Sequence, residues 1–345
     1  MNVFADYHHG GLYKSLKLLF EDKLGFNLYR PIGLDWYLNG FWNIADPYPD
    51  PMDTALQYLD INSREYSQYE NLNGGHYIKD GIYYVWDAAE EIHHKCITFE
   101  QFKEMQIDIV LSSIPAHDVS YARLIRDFKP KAKHIAQMGN IYQTSDVSNV
   151  MCSTAPYPVQ EGKNVVFYHQ MFDLDIFKYK EPINTEIKHI NSFVNILPQQ
   201  DLFQQYRTAL PEFKFESFGA SCPDGSVTGN HNLAEKMSSS HFGWHVKPGG
   251  DGFGHVIHNW FACGRPIITN GSDYYDKLAS LLLEDGVTCI DLEQATFQDN
   301  VSRIKKWAEP ENHIKLCQNA YNRFKDVVDF DGEVENIKLF LDRLI

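Results

Sequence analysis

The sequence predicts an α/β protein made of two doubly wound, Rossmann-like domains that face a central cleft. Three observations lead there. The chain has 345 residues, too long for one ordinary domain and suited to two of roughly 150–200 residues each. Apolar runs of strand length alternate with amphipathic helical stretches, the order that builds parallel sheets. Two glycine-rich turns, Gly10-Gly11 and the run from Gly249 to Gly254, follow strand candidates and open helices, where sheets of this kind hold ligands.

The chain opens on a short apolar strand over 2–5, a polar loop Asp6-Tyr7-His8-His9-Gly10-Gly11, and a helix whose Leu12, Leu16, Leu19 and Phe20 share one face. Gly25 is placed to end that helix, and a strand over 27–30 completes a βαβ unit with the right-handed crossover that parallel strands require. Between Trp36 and Ala89 the pattern dissolves into aromatic and proline-rich sequence, where only a hairpin at Asp80-Gly81 is assigned. Order returns as helix 99–105, strand 107–112, helix 119–128 and strand 133–137, then short strands over 149–152 and 164–168.

Apolar periodicity lapses around Lys180-Glu181-Pro182-Ile183-Asn184, which places the first domain at 1–182 with an aromatic insertion over about 36–89. A second alternating series follows: strand 187–194, helix 199–209, strand 213–218, helix 232–239, strand 242–246, helix 253–263, strand 266–269, helix 274–283 and strand 287–291. Three helix candidates close the chain, the last with Val334, Ile337, Leu339, Phe340 and Leu344 apolar. The second domain is thus 183–330, and the closing segment 331–345 can return to the first.

Composition narrows the function classes. With 43% apolar and 22% charged residues the chain is globular rather than disordered. A net charge of −15 disfavours a broad surface for duplex DNA, whose affinity comes from Lys and Arg neutralising phosphates. It leaves room for a small anion held by backbone dipoles and one or two cations. The six cysteines show no C-x-x-C spacing, so neither a zinc site nor a disulfide framework is signalled. No segment reads as a signal peptide or bilayer span, and the expected compartment is the cytoplasm.

The second glycine-rich turn carries the most chemistry. A strand runs into His245-Val246-Lys247-Pro248-Gly249-Gly250-Asp251-Gly252-Phe253-Gly254, and a helix and strand follow through Asn259, Phe261-Ala262-Cys263-Gly264-Arg265-Pro266-Ile267-Ile268. This puts one carboxylate and several backbone N–H groups at a helix start, a place that holds anions. In order and spacing the segment resembles the nucleotide-sugar signature of GT-B glycosyltransferases of the retaining, sucrose-synthase-like branch. There Glu-Gly-Phe-Gly is followed, eight residues after that Glu, by a second Glu on the helix. Here the two positions hold Asp251 and Asn259. The downstream Glu284-Asp285-Gly286-Val287 looks like that family's glycine turn without its final glycine.

The resemblance implies a sugar transferase whose C-terminal half binds a nucleotide-diphosphate sugar as co-substrate, with no further cofactor and no metal. Asp251 takes the role of the acid that supports charge on the donor sugar, and Asn259 that of the residue gripping the ribose hydroxyls. Gly252, Phe253, Gly254 and His255 line the diphosphate and sugar, and Lys247 is the candidate cation for a phosphate oxygen. In the first half, His117 stands where the family usually places a histidine near the donor sugar, with His169 a weaker candidate. Gly10 and Gly11 let the backbone approach a ligand. Asp6, His8 and His9 lead a search for a base if the reaction inverts, and Asp273, Tyr274 and Tyr275 follow the next strand, where they can read the base or sugar. The doublets Glu90-Glu91 and His93-His94 read as a solvated helix face. The acceptor is a glycan or small molecule. A weakened nucleotide- or glycan-binding protein, and a transferase acting on DNA bases, are the alternatives.

Overall fold

The computed structural model describes residues 1–5, 9–31, 66–67, 76–113, 118–140, 144–154, 162–182 and 187–344. The chain divides into two compact units, Met1–Phe172 with Phe330–Ile345, and Asp173–Asp329. The expected boundary at 182/183 borders the segment 183–186, and most of the aromatic insertion lies at 32–65 and 68–75; these three segments are outside the described residues.

In the first unit, Asn2–Ala5 (β1), Asn27–Pro31 (β2), Ile92–Ile97 (β6), Ile109–Ser112 (β7), Lys133–Met138 (β8), Asn149–Cys152 (β9) and Asn164–Phe167 (β10) form the parallel part of a sheet. Tyr66–Ser67 (β3), His76–Lys79 (β4) and Ile82–Asp87 (β5) extend it, in the order β10-β9-β8-β7-β1-β2-β6-β5-β4-β3. Central β1 is covered on both faces, so its Val3, Phe4 and Ala5 are all fully buried. Phe4 packs on Phe102 of helix Phe99–Glu104 (α2) and Tyr121 of helix Asp118–Phe128 (α3). Helix Gly10–Lys17 (α1) passes into a π-helical turn, Leu18–Lys23, and stops at Gly25, whose φ of 68° is left-handed. The hairpin expected at Asp80-Gly81 is present. Lys79 pairs with Ile82, and the left-handed φ values of 51° and 79° between them are those of a type I′ turn.

The doublets at 90–91 and 93–94 are not a solvated helix face. Glu90 and Glu91 belong to the turn between β5 and β6, and His93 and His94 to β6 itself. Strand geometry turns alternate side chains to opposite faces, and His94 faces inward. It stacks on Tyr13 at 4.1 Å, receives a hydrogen bond at Nδ1 from Arg30 Nη1 at 2.9 Å, and sets Nε2 3.2 Å from Asp87 Oδ2. Burial lowers its pKa to about 4, against the opposing pull of Asp87.

The second unit is a five-stranded, all-parallel sheet of Lys188–Phe193 (β11), Phe213–Phe218 (β12), Phe242–Trp244 (β13), Ile267–Thr269 (β14) and Cys289–Asp291 (β15), ordered β12-β11-β13-β14-β15. Strand order reverses between β11 and β13, which makes the carboxyl ends of those two strands the topological switch point. Helices Gln200–Ala209 (α4), Asn230–Ser239 (α5), His255–Ala262 (α6), Phe297–Trp307 (α7) and Pro310–Val327 (α8) belong to this unit, and Phe330–Asp342 (α9) belongs to the first. The core centres on Trp244, against Phe203, Tyr206 and Phe215. The helix expected over 274–283 is instead two 3₁₀ turns, Gly271–Tyr274 and Leu278–Leu282. Within the second turn the buried Ala279 and Leu282 lie three residues apart, the repeat of a 3₁₀ turn.

Helix α6 is seated on the sheet by contact and by charge. A Cβ on Gly243 would come within 2.5 Å of the Trp260 ring, so the helix lies flat on a bare strand. The buried Arg265 then ties helix ends together. Its Nε and Nη2 donate to Ser238 O at 3.0 and 2.5 Å, and its Nη1 donates to Lys180, Cys263 and Gly264 carbonyls at 2.8, 3.2 and 3.1 Å. A cation among carbonyls at two helix C-termini is also favoured by the helix dipoles.

Two outcomes follow for stability. Gly243→Ala is expected to cost about 1–3 kcal/mol by overpacking, read as a lower urea midpoint at unchanged slope. The buried rings of His94, His241 and His313 sit below their ordinary 6.5, at about 4, 3 and 4, chiefly through burial. In the unfolded chain these rings protonate near 6.5, so their contribution is intact above that pH and is lost as the pH falls toward 4. The melting temperature should decline through that window, and His313→Gln should flatten the decline.

Candidate functional site

The site is built on the carboxyl end of β13. Its backbone is held by Gly243 N–H to Pro266 O at 3.0 Å and His245 N–H to Ile268 O at 2.9 Å, and Thr269 Oγ1 donates to His245 O at 2.8 Å. The chain then turns through Pro248, Gly249 and Gly250. Gly249 and Gly250 have φ of 75° and 63°, a region that costs other residues strain. Gly250 has a second reason, since a Cβ there would lie 2.3 Å from Asp273 O. The Gly249 N–H donates to Asp273 Oδ1 at 2.8 Å, and the Gly250 N–H to Lys247 O at 2.8 Å. Gly254, at φ 81°, is the N-cap of α6.

Asp251 sits between these glycines with both oxygens engaged. Its Oδ2 is 3.0 Å from His245 Nε2, and its Oδ1 accepts from Lys247 Nζ. The three differ in exposure: the His245 side chain is 1% exposed, Asp251 28% and Lys247 41%. Burial alone would raise the Asp251 pKa, but His245 and then Lys247 outweigh it and hold the carboxyl far below its usual range. Buried Tyr274 lies beside His245, ring centres 6.0 Å apart, its hydroxyl pKa raised by burial and by the nearby acids Asp251 and Asp273.

Helix α6 follows at once. Gly252 and Phe253 are buried, and Phe253 stacks on His258 at 4.1 Å and meets the edge of His255 at 4.8 Å. His258 Nδ1 is fixed on Gly254 O at 2.9 Å. Asn259, 7% exposed, keeps a buried Oδ1 that has no hydrogen-bond partner among the described residues. Helix geometry leaves the first-turn N–H groups without intrahelical acceptors and gives that end a partial positive charge. One loop and one helix thus bring together Asp251, Lys247, Gly252, Phe253, Gly254, His255 and Asn259.

Asp273 and Tyr274 border the same loop and Tyr275 is exposed; the remaining expected residues lie in the first unit or outside the described residues. Gly10 and Gly11 open α1, where His9 Nδ1 accepts from Leu12 N–H at 3.0 Å. The space at Gly10 is set by neighbours in its own unit: a Cβ would lie 2.9 Å from Glu90 Cγ and 3.1 Å from Asp87 Oδ2. His169 is buried, with Nδ1 2.5 Å from Glu333 Oε1 at the start of α9 and its N–H on Oε2 at 2.7 Å. His117, Asp6 and His8 fall outside the described residues. At 284–287 a tight turn forms with Gly286 at φ 69°, and Cys289, first in β15, holds the place of the missing glycine.

His245 is the site residue that the sequence pattern does not single out. Its signal is the spacing: in an extended strand end, residues 245 and 247 project to one side, and both reach Asp251. Among the described residues, no group of three or more His, Cys, Asp or Glu is placed to hold a metal ion, and no helix is long and apolar enough to cross a membrane.

No protein-family model matches the sequence, and no curated protein matches it. Solved structures do resemble the whole chain. Anabaena HepE in complex with UDP aligns with a TM-score of 0.63 at 11% identity, over 99% of each chain. Sucrose-phosphate synthase from Thermosynechococcus elongatus aligns at 0.59 and 11%, over 99% of this chain and 98% of the other. The pneumococcal O-GlcNAc transferase GtfA in complex with UDP and GlcNAc aligns at 0.55 and 10%, over 100% and 99%. The likeness shows the GT-B fold.

The loop's shape and its ion pair should separate on mutation. Lys247→Ala removes a partly exposed pair and is expected to change stability by less than about 1 kcal/mol. Gly250→Ala meets both strain and a backbone clash and should cost about 1–3 kcal/mol. Chemical denaturation of the two variants side by side checks the ranking.

Proposed function

We propose that this chain is a glycosyltransferase that moves a sugar from a nucleotide-diphosphate sugar to an acceptor hydroxyl, with retention at the anomeric carbon and without a metal. One observation carries the reading: a single carboxylate, Asp251, held by His245 and Lys247 beside the N-terminus of α6 at the sheet's switch point. Structures with the same fold, HepE and GtfA, are complexes with UDP, which supports a uridine diphosphate donor here.

In this reading the bond between the anomeric carbon and the diphosphate breaks while the acceptor oxygen bonds to that carbon. Negative charge gathers on the leaving diphosphate, and the backbone N–H groups from Phe253 to Val256 meet it with Lys247. Lys247 is exposed enough to pass from Asp251 to a phosphate oxygen. Positive charge gathers on the sugar, and Asp251 stands beside it. The unpartnered Asn259 Oδ1 accepts from a ribose hydroxyl. His117, Gly10 and Gly11 stay in this proposal as first-domain candidates, to be tested by substitution. The acceptor is a glycan or small molecule, because a chain of net charge −15 is ill suited to duplex DNA.

A second reading rests on Asn259 and on the stretch Asn191–Pro198, which carries no basic residue. A neutral ribose contact and few phosphate cations fit a protein that binds a nucleotide or glycan with little turnover. Sugar release from a panel of nucleotide sugars, with calorimetry on UDP and GDP, decides between the two. Turnover that survives chelation by EDTA and drops at least about 100-fold in Asp251→Ala, with UDP affinity retained, supports the transferase. Binding with no turnover of any donor supports the second reading.

A further inference from the structure

We propose that His245 is a positioning residue that fixes the Asp251 carboxylate for catalysis, an inference that rests on the transferase reading. Asp251 lies in a loop with glycine at 249, 250 and 252, so its own backbone neighbours offer no side chain to set its orientation. Its two partners are unequal. Lys247 is 41% exposed on a flexible stem and can leave for a phosphate. His245 has one place to be: its N–H and carbonyl are both bonded to β14, and its ring is buried beside Tyr274. The His245 contact to Oδ2 therefore remains when Lys247 moves away.

The ring's second nitrogen supports this over a packing role. His245 Nδ1 is buried and has no hydrogen-bond partner among the described residues. Leaving such an atom unpaired costs free energy that a leucine would not incur. A position filled for packing alone would not favour imidazole, whereas one that must offer a rigid N–H to a carboxylate would. With Nδ1 bare, the proton sits on Nε2 and points at Asp251. The reach of this fixed donor also suits aspartate, because one more methylene would push the carboxylate past it.

The test compares His245→Leu, His245→Gln and Asp251→Glu with the wild-type chain. Turnover is measured with whichever of UDP-glucose, UDP-N-acetylglucosamine or GDP-mannose is hydrolysed fastest, and affinity with UDP or GDP alone. H245L should lose about 10–100-fold in kcat, as expected for a misplaced catalytic group, while KM and nucleoside diphosphate affinity stay within about three-fold. H245Q, whose amide can donate to Oδ2, should recover most of the loss, and D251E should turn over more slowly than wild type. The inference is overturned if H245L keeps wild-type kcat, if its turnover and nucleotide affinity fall together, if H245Q does no better, or if D251E is faster. D251E sits on the partly exposed side chain, so it reads the geometry even if H245L does not fold. A wild-type chain that turns over no donor removes the transferase reading and this inference with it; an active wild type with an unchanged H245L removes this inference alone.

Discussion

The seating of α6 on its sheet is the constraint on which the site depends. Trp260 lies over a strand position that has no side chain, and Arg265 draws together the ends of α5 and α6 through their carbonyls. With the helix pinned at that end and β13 bonded to β14 at the other, the loop between them has fixed endpoints. Its shape is then a matter of which backbone conformations can bridge them. Glycine at 249, 250 and 254 supplies the left-handed ones.

That solution has a consequence for the acid in its middle. Glycines make the turn possible but give Asp251 no lateral support, and ordering such a loop costs more backbone entropy than ordering a bulkier one. Support comes instead from residues at the ends of regular structure: His245 just past the end of β13, and Asp273 on the next turn, which receives the Gly249 N–H. The carboxylate is positioned by side chains that belong to rigid elements, while the loop itself is thin enough for a ligand to approach.

How much of this is legible in the sequence follows from which physical rule governs each stretch. Parallel strands buried on both faces read as apolar runs, and the expected strand at 149–152 coincides with β9 to the residue; the edge strand β12, expected at 213–218, reads instead by alternation of Phe213 and Phe215 with Lys214 and Glu216. The loop is legible because dense glycine and a lone acid rarely meet just before a helix except where backbone N–H groups face an anion. Where tertiary contacts rule, the pattern misleads. The charged doublets around His94 look solvent-facing, yet strand alternation and the pairing with Arg30 and Asp87 draw that ring inside. The stretch at 274–283 has helical composition, but its apolar residues serve short turns packed beside the glycine loop. His245 is hidden for a related reason: as one residue just past a strand it carries no pattern, and its meaning appears only when the loop folds back over it.

On the proposed function, the arrangement also answers an electrostatic difficulty in putting a carboxylate where a diphosphate would bind. Two unit charges about 6 Å apart repel by roughly 3 kcal/mol at an effective dielectric near 20, and a chain of net charge −15 adds to the penalty. Lys247 neutralises Asp251 at close range, so the charge of that acid is already compensated. The helix N-terminus then contributes its partial positive charge without adding a mobile cation. On that reading an incoming anion meets a dipole and an exposed ammonium first, with the carboxylate already compensated behind them. Because the buried imidazole holds the other oxygen, the ammonium can turn toward the anion without releasing the acid from its place.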